Sequence, residues 1–291
     1  MLRIDELRKR YGDKIALDGV TLSVGPGEMF GFVGANGAGK STTMRIVMGV
    51  LDADGGEVRW KDRPLDFETR RRFGYMPEER GLYAKMRVAE QLEYFGRLHG
   101  LTQAAAKKAS DDLLERLGLT ERRDSEVDSL SLGNQQRVQL AVALVHDPEM
   151  LILDEPFSGL DPIAVDALAG VLAERRAAGV PVIFSSHQLE LVERLCDSVG
   201  IIAAGRMVAV GTVAELRGRE SHKRLRVVVS GASAGWADEL PGTIVAKDGD
   251  EVILESADDR EVLRIASRAG RLEHFGWVEP RLSEIFREAV A

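Results

Sequence analysis

The segment GANGAGKST at residues 34–42 constrains the fold of this 291-residue chain more than any other feature. It follows the apolar run MFGFV at 29–33, which is typical of a buried strand, and a helical pattern begins near Lys40. Glycines at a strand-to-helix turn leave backbone N–H groups free to surround an anion, and a helix N-terminus favours that charge. The sequence therefore predicts a strand, an anion-binding loop and a helix in direct succession, which is typical of an α/β fold.

The residue types in this segment match the spacing Gly-x-x-x-x-Gly-Lys-Ser of a phosphate-binding loop. Gly34, Gly37 and Gly39 let the backbone approach phosphate oxygens without a Cβ in the way. Lys40 would bring a positive charge to the β and γ phosphates, and the Ser41 hydroxyl would bind Mg²⁺. We therefore predict a nucleotide site with Mg²⁺ as cofactor, because a plain glycine turn would explain neither the lysine nor the serine.

A second motif, MLILDEP at 150–156, places Asp154 and Glu155 directly after an apolar run. Ligands of open α/β sheets gather at the carboxyl ends of the strands. Asp154 is therefore predicted to hold Mg²⁺, and Glu155 to orient or deprotonate the attacking water. Because kinases and small GTPases also have a phosphate loop, this pair by itself indicates a nucleotide hydrolase or transferase.

The apolar pattern along the chain predicts one large α/β domain and a small second domain. After residue 149 strand-like and helical stretches alternate, which indicates a mostly parallel sheet covered by helices. A polar linker is predicted at 215–224. The predicted domains are 1–217, with a helical insertion at about 80–146, and 225–291, a small α+β unit.

Composition limits the function classes that the chain can serve. The 39 basic and 47 acidic residues leave a net charge of −8, which argues against a nucleic-acid partner. Cys196 is the single cysteine, so an intrachain disulfide is excluded and a reducing cytoplasm is favoured. The N-terminus lacks the apolar core of a signal peptide, and no window approaches the ~18 apolar residues of a membrane helix. Any link to a membrane is therefore expected to go through a partner.

The order of motifs along residues 1–217 resembles that of the ATP-binding cassette (ABC) ATPases. The motifs are the phosphate loop, the helical insertion, LSLGNQQR at 130–137, LILDEP at 151–156, SGLD at 158–161 and SSH at 185–187. The resemblance implies a P-loop NTPase fold, in which a RecA-like core carries an antiparallel β subdomain and a helical subdomain. It also implies that the chain is an ATPase.

The resemblance assigns further residues to the nucleotide. Tyr11 falls where the family stacks an aromatic ring on adenine, an interaction worth ~1–3 kcal/mol, although plain packing is the alternative for a strand tyrosine. The predicted ATP-binding residues are Tyr11, Gly34, Ala35, Asn36, Gly37, Ala38, Gly39, Lys40, Ser41 and Thr42.

One histidine is predicted to take part in catalysis. His187, after a strand, matches the family's histidine that contacts the γ-phosphate, and it joins Lys40 and Glu155 as the predicted catalytic set. The histidines at positions 99, 146, 222 and 274 have no such context, and ordinary structural roles are expected for them.

In the family, the signature segment acts on the nucleotide of a second copy. Two cassettes pack head to tail, and each signature closes over the γ-phosphate held by the other's phosphate loop. Ser131 and Gly133 carry over as these contacts in trans, a hydroxyl and a backbone N–H at a helix start. Asp161 matches the loop that crosses the seam, although it would equally cap the helix before Pro162. A homodimer with two-fold symmetry is therefore implied.

Three residues depart from the family pattern. Leu132 stands where the family usually has glycine, and Asn134 where it usually has glutamine. Glu78 replaces a glutamine that joins Mg²⁺ and water; a glutamate keeps an oxygen ligand, so Glu78 is predicted as a further metal ligand. The adjacent Glu79 leaves open which of the two acids faces the site.

The segments PEERG at 77–81 and GNQQ at 133–136, with the short second domain, are similar to one branch of the family. That branch powers bacterial two-component exporters of the sodium-extrusion and drug-resistance type. The resemblance implies a cytoplasmic subunit, peripheral on the inner face of the cell membrane, that drives a separate integral membrane permease.

The loop RGLYAKM at 80–86 is the predicted permease contact, with ordinary loop packing as the alternative. Two other functions stay open on the sequence alone. One is a soluble cassette ATPase that acts on the ribosome or on nucleic acid, and the other is a non-catalytic nucleotide switch.

Overall fold

The chain folds into two compact units, Met1–Gly211 and Thr212–Ala291. The computed structural model describes residues 1–79, 81–217, 224–233, 235–255, 258–278 and 281–290. The division falls earlier than the predicted end of the first domain at 217, because the short helix Val213–Arg217 contacts the final helix of the second unit. Most of the linker predicted at 215–224, with His222, lies outside the described residues.

The first unit contains the strands and helices predicted around the phosphate loop. Its strands are β1 Leu2–Tyr11, β2 Lys14–Val24, β3 Met29–Val33, β4 Gly55–Trp60, β5 Arg63–Pro64, β6 Phe73–Met76, β7 Met150–Leu153, β8 Val182–Ser186, β9 Ser198–Ala203 and β10 Arg206–Thr212. Its helices are α1 Lys40–Val47, α2 Phe67–Arg70, α3 Val88–Leu98, α4 Gln103–Arg116, α5 Leu132–Leu144, α6 Pro162–Ala177 and α7 Leu189–Leu195, with short 3-10 helices at Thr120–Arg122 and Val127–Ser129. The predicted strand before the loop is β3, and the predicted helix after it is α1.

The strands of this unit form two sheets. The order β2-β1-β4-β5 makes an antiparallel sheet, and the order β10-β9-β3-β8-β7-β6 makes a six-stranded sheet. From β9 to β6 the strands of the larger sheet run parallel, as the alternation of strands and helices predicted. Every residue of β3, β7 and β8 is buried, which is typical of parallel strands covered on both faces.

The register of the parallel strands brings three motifs to one edge of the sheet. Val33 at the end of β3 pairs with Ser186 at the end of β8. Leu153 at the end of β7 pairs with Phe184 of β8. The phosphate loop, Asp154 and His187 follow these strands directly, so all three begin at the carboxyl edge of the sheet.

The helical region predicted at about 80–146 consists of α3, α4 and α5. The helix α3 packs against both α4 and α5, and their apolar residues, such as Val88, Leu113 and Val138, are buried. Arg80, the first residue of the predicted region, lies outside the described part of the chain.

The second unit is an α+β fold. Its elements are α8 Val213–Arg217, β11 Arg224–Ser230, β12 Thr243–Asp248, β13 Glu251–Glu255, α9 Asp259–Ala269, β14 Arg271–Val278 and α10 Leu282–Val290, with a short 3-10 helix at Trp236–Glu239. The strands form an antiparallel sheet in the order β12-β13-β11-β14. Leu225 and Val227 of β11 pack in a core with Val262 and Ala266 of α9. The strand β14 was not predicted, because its side chains are only half-buried or exposed and therefore lack a clear apolar alternation.

Candidate functional site

The phosphate loop, residues 34–39, closes around the side chain of Lys40. The Ala38 N–H donates to the Ala35 carbonyl at 3.1 Å, which curls the loop. Lys40 Nζ donates to the carbonyl oxygens of Gly34 at 2.7 Å and of Ala35 at 3.3 Å. Because Lys40 is buried, these bonds hold its cation inside the curve of the loop.

Two glycines of the loop are required by close contacts. A Cβ on Gly34 would lie 2.5 Å from the carbonyl oxygen of Ile202. Gly39 has a φ of +119°, and a Cβ there would lie 2.7 Å from the Leu17 side chain. Larger residues at either position would displace the backbone that carries the loop.

Asp154, directly after β7, is 1% exposed and has one oxygen without a partner among the described residues. Its Oδ1 accepts a hydrogen bond from Ser185 Oγ at 2.6 Å, whereas Oδ2 accepts none. The pKa of the neighbouring Tyr75 is raised, mainly because the phenol is partly buried and secondly because the Asp154 carboxylate is close to it. A buried carboxylate oxygen without a hydrogen bond is costly unless it meets a cation, so this oxygen suits a divalent metal ion.

Glu155 and His187 form a pair next to Asp154. Glu155 Oε2 and His187 Nδ1 lie 2.9 Å apart, with the acid largely buried and the histidine exposed. Glu155 has a φ of +51°, and its backbone N–H donates to Ser185 Oγ at 2.8 Å. Such a backbone costs about 1–3 kcal/mol in a non-glycine residue, so the surrounding contacts hold this acid in a strained position.

One cavity of about 320 Å³ joins the phosphate loop to these acids. The predicted residues that line it are Tyr11, Asn36, Gly37, Gly39, Lys40, Ser41, Thr42, Glu78, Asp154 and Glu155. Within the loop, Gly34 and Ala38 are buried and Ala35 is exposed, and none of the three lines the cavity. Tyr11 is 50% exposed, with Lys9 Nζ 5.9 Å from its ring centroid, so its ring is open to solvent rather than packed in a core.

A neighbouring cavity of about 310 Å³ extends past Glu155 to His187. Glu78 lines both cavities, whereas Glu79 lines only this second one. Of the two acids that the sequence left open, only Glu78 shares a cavity with Lys40 and Asp154.

The signature residues lie at the start of α5. Ser131 Oγ accepts a hydrogen bond from the Asn134 N–H at 3.4 Å, and Leu132 is exposed. A Cβ on Gly133 would lie 3.6 Å from the Gly159 carbonyl oxygen, so the signature packs beside the SGLD loop. Neither Ser131 nor Gly133 is among the described residues that line the two cavities. Within one chain, Ser131 and Gly133 therefore do not reach these cavities, although Gln136 of the same segment lines the second cavity with Asn36 of the phosphate loop.

Asp161 caps the helix α6. Its Oδ1 accepts a hydrogen bond from the Ala164 N–H at 2.8 Å, and Pro162 occupies the first turn. The capping role that the sequence left open is therefore present in the isolated chain.

Four residues that sequence reasoning missed belong to this site. Ser185 holds both Asp154 and Glu155, Gln136 and Gln139 contact the segments that carry the acids, and Lys14 lines the first cavity. A serine inside a buried strand and two glutamines inside a helix were the available signals, because buried polar groups need partners.

The fold and this site define the class of the protein. One cavity is lined by the buried lysine of the glycine loop, by the buried aspartate after a parallel strand and by Glu155. Glu155 in turn contacts His187. This arrangement binds the phosphates of a nucleoside triphosphate and places an acid at its end. The protein is a P-loop NTPase.

Comparison with known sequences places the chain in one family. A family model described as ABC transporter matches residues 17–158, and a model of the C-terminal domain of DrrA1-3-like ATP-binding proteins matches 211–290. The chain is 40% identical to the ABC transporter ATP-binding protein YhaQ of Bacillus subtilis, covering 100% of this chain and 98% of YhaQ. It is 33% identical to the daunorubicin resistance ATP-binding protein DrrA3 of Streptomyces coeruleorubidus, covering 98% of this chain and 94% of DrrA3. The chain therefore belongs to the ABC transporter ATP-binding proteins.

Solved structures agree with this assignment. The structure of the ATP-binding subunit of an ABC transporter matches with a TM-score of 0.70 and 35% identity, over 75% of this chain and 92% of that one. The ADP conformation of MJ1267, an ATP-binding cassette of an ABC transporter, matches with a TM-score of 0.66 and 26% identity, over 74% and 92%. The predicted ABC fold and the predicted ATPase activity are confirmed.

Proposed function

We propose that this chain is the ATP-hydrolysing subunit of an ABC exporter. The observation that carries the proposal is the contact of Glu155 with His187 at 2.9 Å, beside the cavity that Lys40 and Asp154 share. Relatives support the direction of transport, since one is the linearmycin resistance ATP-binding protein LnrL of Bacillus subtilis, at 38% identity. Another is the Nod factor export ATP-binding protein I of Paraburkholderia xenovorans, also at 38% identity.

The cavity supports a defined position for ATP. Lys40 and the backbone N–H groups of the phosphate loop would bind the β and γ phosphates, because they face the cavity at the start of α1. Tyr11 lines the same cavity with an exposed ring, where it would stack on adenine.

The donor set around Asp154 supports a Mg²⁺ site. Asp154 offers an unpaired buried oxygen, and the Ser41 hydroxyl and the Glu78 carboxylate line the same cavity. These three residues would hold the ion, with the remaining ligands from phosphate and water. When bound, Mg²⁺ neutralises charge on the β and γ phosphates.

The pair of Glu155 and His187 supports an assignment of acid and base. In the tautomer that carries its proton on Nδ1, His187 donates to the Glu155 carboxylate, because an ionised carboxylate only accepts hydrogen bonds. Glu155 is thereby held with an oxygen toward the cavity, where it would orient the attacking water and take its proton. His187 would contact the γ-phosphate through Nε2, while Nδ1 stays in contact with Glu155.

The position of the signature supports a dimer as the active form. Ser131 is exposed and Gly133 half-buried at the start of α5, and neither lines the two cavities, so we assign their hydroxyl and N–H groups to a second copy. In a head-to-tail homodimer they would contact the γ-phosphate of the partner, with Asp161 at the seam.

An exposed aromatic cluster supports a protein partner next to the predicted permease loop. Tyr83 lies 5.7 Å from Tyr94 and 6.0 Å from Phe95 between ring centroids, and both tyrosines are exposed. The loop at 81–86 would dock a helix of a membrane permease here, while Arg80 lies outside the described residues. None of the described helices has the length and apolar character needed to cross a membrane. We propose that binding to the permease holds the chain at the inner, cytoplasmic face of the membrane.

The decisive experiment replaces Glu155 by glutamine in the full chain. Glu155→Gln is expected to bind ATP and to form a stable dimer with almost no phosphate release, because the acid that accepts the proton is lost. Glu190→Gln is the matched control, since it removes an exposed carboxylate three residues beyond His187. Unchanged phosphate release by Glu155→Gln would overturn the assignment of this acid.

The dimer is tested by the dependence of activity on protein concentration. Specific ATPase activity should rise with concentration as active sites are completed, whereas strictly constant activity from a monomer would contradict the shared site. The ribosome or nucleic-acid alternative receives no support from the relatives described above. Stimulation of hydrolysis by RNA or DNA, in place of stimulation by a membrane partner, would restore it.

A further inference from the structure

Two buried glutamines lie on α5, the helix that begins at Ser131. Gln136 is 4% exposed and Gln139 is 3% exposed. Since residues three apart share one face of a helix, both amides point to the same side of α5. Both donate their Nε2 hydrogens to backbone carbonyl oxygens outside the helix.

Gln136 contacts the segment that carries the proposed catalytic acid. Its Nε2 lies 2.9 Å from the Glu155 carbonyl oxygen and 3.1 Å from that of Pro156. Glu155 has the strained φ of +51°, so a backbone contact at this residue helps to hold its orientation.

Gln139 contacts the segment that carries the proposed metal ligand. Its Nε2 lies 2.6 Å from the Pro77 carbonyl oxygen and 3.3 Å from that of Glu79. These two carbonyls flank Glu78 in the sequence, while the Glu78 side chain itself is exposed toward the cavities.

We infer that Gln136 and Gln139, together the glutamine brace, are positioning residues for ATP hydrolysis. The inference rests on the proposed function. It assigns the two glutamines a role that they perform by holding the backbone of the segments that carry Glu155 and Glu78. One rigid helix face fixes the spacing between the segments of Glu155 and Glu78, so both acids keep their places relative to the nucleotide. The same helix presents Ser131 at its N-terminus, so a displacement of α5 by a second copy's phosphate moves both acids together.

The first test replaces Gln139 by methionine in the full chain. Methionine keeps the length and the helix propensity of glutamine but has no N–H to donate. We expect kcat to fall about tenfold, because a small misplacement of a positioned group slows the reaction strongly. The KM for ATP should stay within about twofold, since Gln139 does not touch the nucleotide cavity, and the half-saturating Mg²⁺ concentration should rise through Glu78.

Gln135→Met is the matched control. Gln135 lies on the same helix, and its Nε2 also donates to two carbonyl oxygens, those of Val127 at 3.0 Å and Leu130 at 3.3 Å. The substitution therefore removes the same kind of contact without touching either acid-bearing segment. It should leave the Mg²⁺ dependence unchanged, and an equal shift in both variants would overturn the brace.

Hydrogen exchange in nucleotide-free protein tests the brace without relying on catalysis. The backbone N–H groups of Met76, Glu78 and Glu79 should exchange faster in Gln139→Met and at the original rate in Gln135→Met. Unchanged exchange at these three N–H groups in Gln139→Met would overturn the brace. Absence of ATP hydrolysis by the unsubstituted chain would instead overturn the proposed function, so the two failures are distinguishable.

Discussion

In the first unit the buried Asp154 carboxylate has one oxygen without a partner in the described structure, whereas in the second unit the buried Arg224 guanidinium has two carboxylate partners. Arg224 Nε lies 2.7 Å from Glu255 Oε1, and Arg224 Nη1 lies 2.5 Å from Glu284 Oε2. A buried charge with complete partners stabilises its own fold, while one with a missing partner costs stability and suits a ligand. The comparison indicates that the first unit holds the chemistry and that the charges of the second unit support its structure.

The six-stranded sheet of the first unit and the antiparallel sheet of the second unit also differ in where their strands end. The parallel strands β3, β7 and β8 all end at one edge, which collects the residues that follow them. In the antiparallel sheet of the second unit, neighbouring strands end at opposite edges, and a cross-strand pair such as Arg226 with Glu251, 2.8 Å apart, neutralises its charges. The parallel sheet therefore collects the residues after its strands at one edge, whereas this antiparallel sheet does not.

The largest effect should follow from Lys40→Met in the first unit. The variant loses the cation inside the phosphate loop, and ATP hydrolysis should fall about 10²–10³-fold, as for other electrostatic groups aimed at developing charge. The free energy of unfolding should change little by comparison. Steady-state phosphate release and urea denaturation measure the two quantities, and activity within tenfold of the unsubstituted chain would break the comparison.

The reverse pattern is expected for Arg224→Met in the second unit. It leaves Glu255 and Glu284 without their shared cation, so the free energy of unfolding should fall by about 3–5 kcal/mol. ATPase activity per folded molecule should be unchanged. Arg226→Met, which removes a more exposed cation from the same strand, should have the smaller effect on urea denaturation. A loss of activity in folded Arg224→Met would show that the second unit also contributes to catalysis.

A third expectation concerns pH. The pKa of His146 is lowered from its ordinary 6.5 to about 4. Burial is the larger cause and repulsion from His99 the second, while Asp147 acts in the opposite direction. The two imidazole rings are stacked, with centroids 3.7 Å apart. Because the unfolded chain takes up the proton first, stability is complete above about pH 6.5 and is lost as the pH falls toward about 4, by at most about 3 kcal/mol.

His146→Gln should flatten this dependence of the unfolding free energy between pH 6.5 and 4. His274→Gln is the control from the second unit, because His274 is exposed on β14. An equally steep loss of stability in His146→Gln would show that another group titrates.

The smallest effects are expected at two helix caps. Asp161→Ala and Asp258→Ala each remove a side chain that accepts from the first turn of a helix, so each should cost about 1 kcal/mol. Only Asp161→Ala should also weaken ATP-dependent dimerisation, because Asp161 lies at the proposed seam. Serine at either position restores the cap, so dimerisation recovered by Asp161→Ser would reduce the role of Asp161 to capping alone.

Much of the site was predictable because its parts are short and contiguous. The strand–loop–helix unit around Lys40 and the placement of Asp154 after β7 follow from local patterns of apolar residues and glycine. The strand β14 was missed, because a half-exposed strand has no strong periodicity and its pairing with β11 joins distant segments. No local pattern indicated that Ser185 would hold Asp154, since the two are separated by 31 positions.

The sequence by itself determined which residue types can bind phosphate and metal, and the order in which they follow strands and helices, because these depend on bonded neighbours and on periodicity. Only the tertiary structure decided that Glu155 meets His187, that Glu78 rather than Glu79 shares a cavity with Lys40, and that two glutamines of α5 hold the backbone beside both acids. Those contacts depend on strand order and on the way that helices cover the sheet. Both arise from burying apolar surface shared by distant parts of the chain, which no short stretch of sequence encodes.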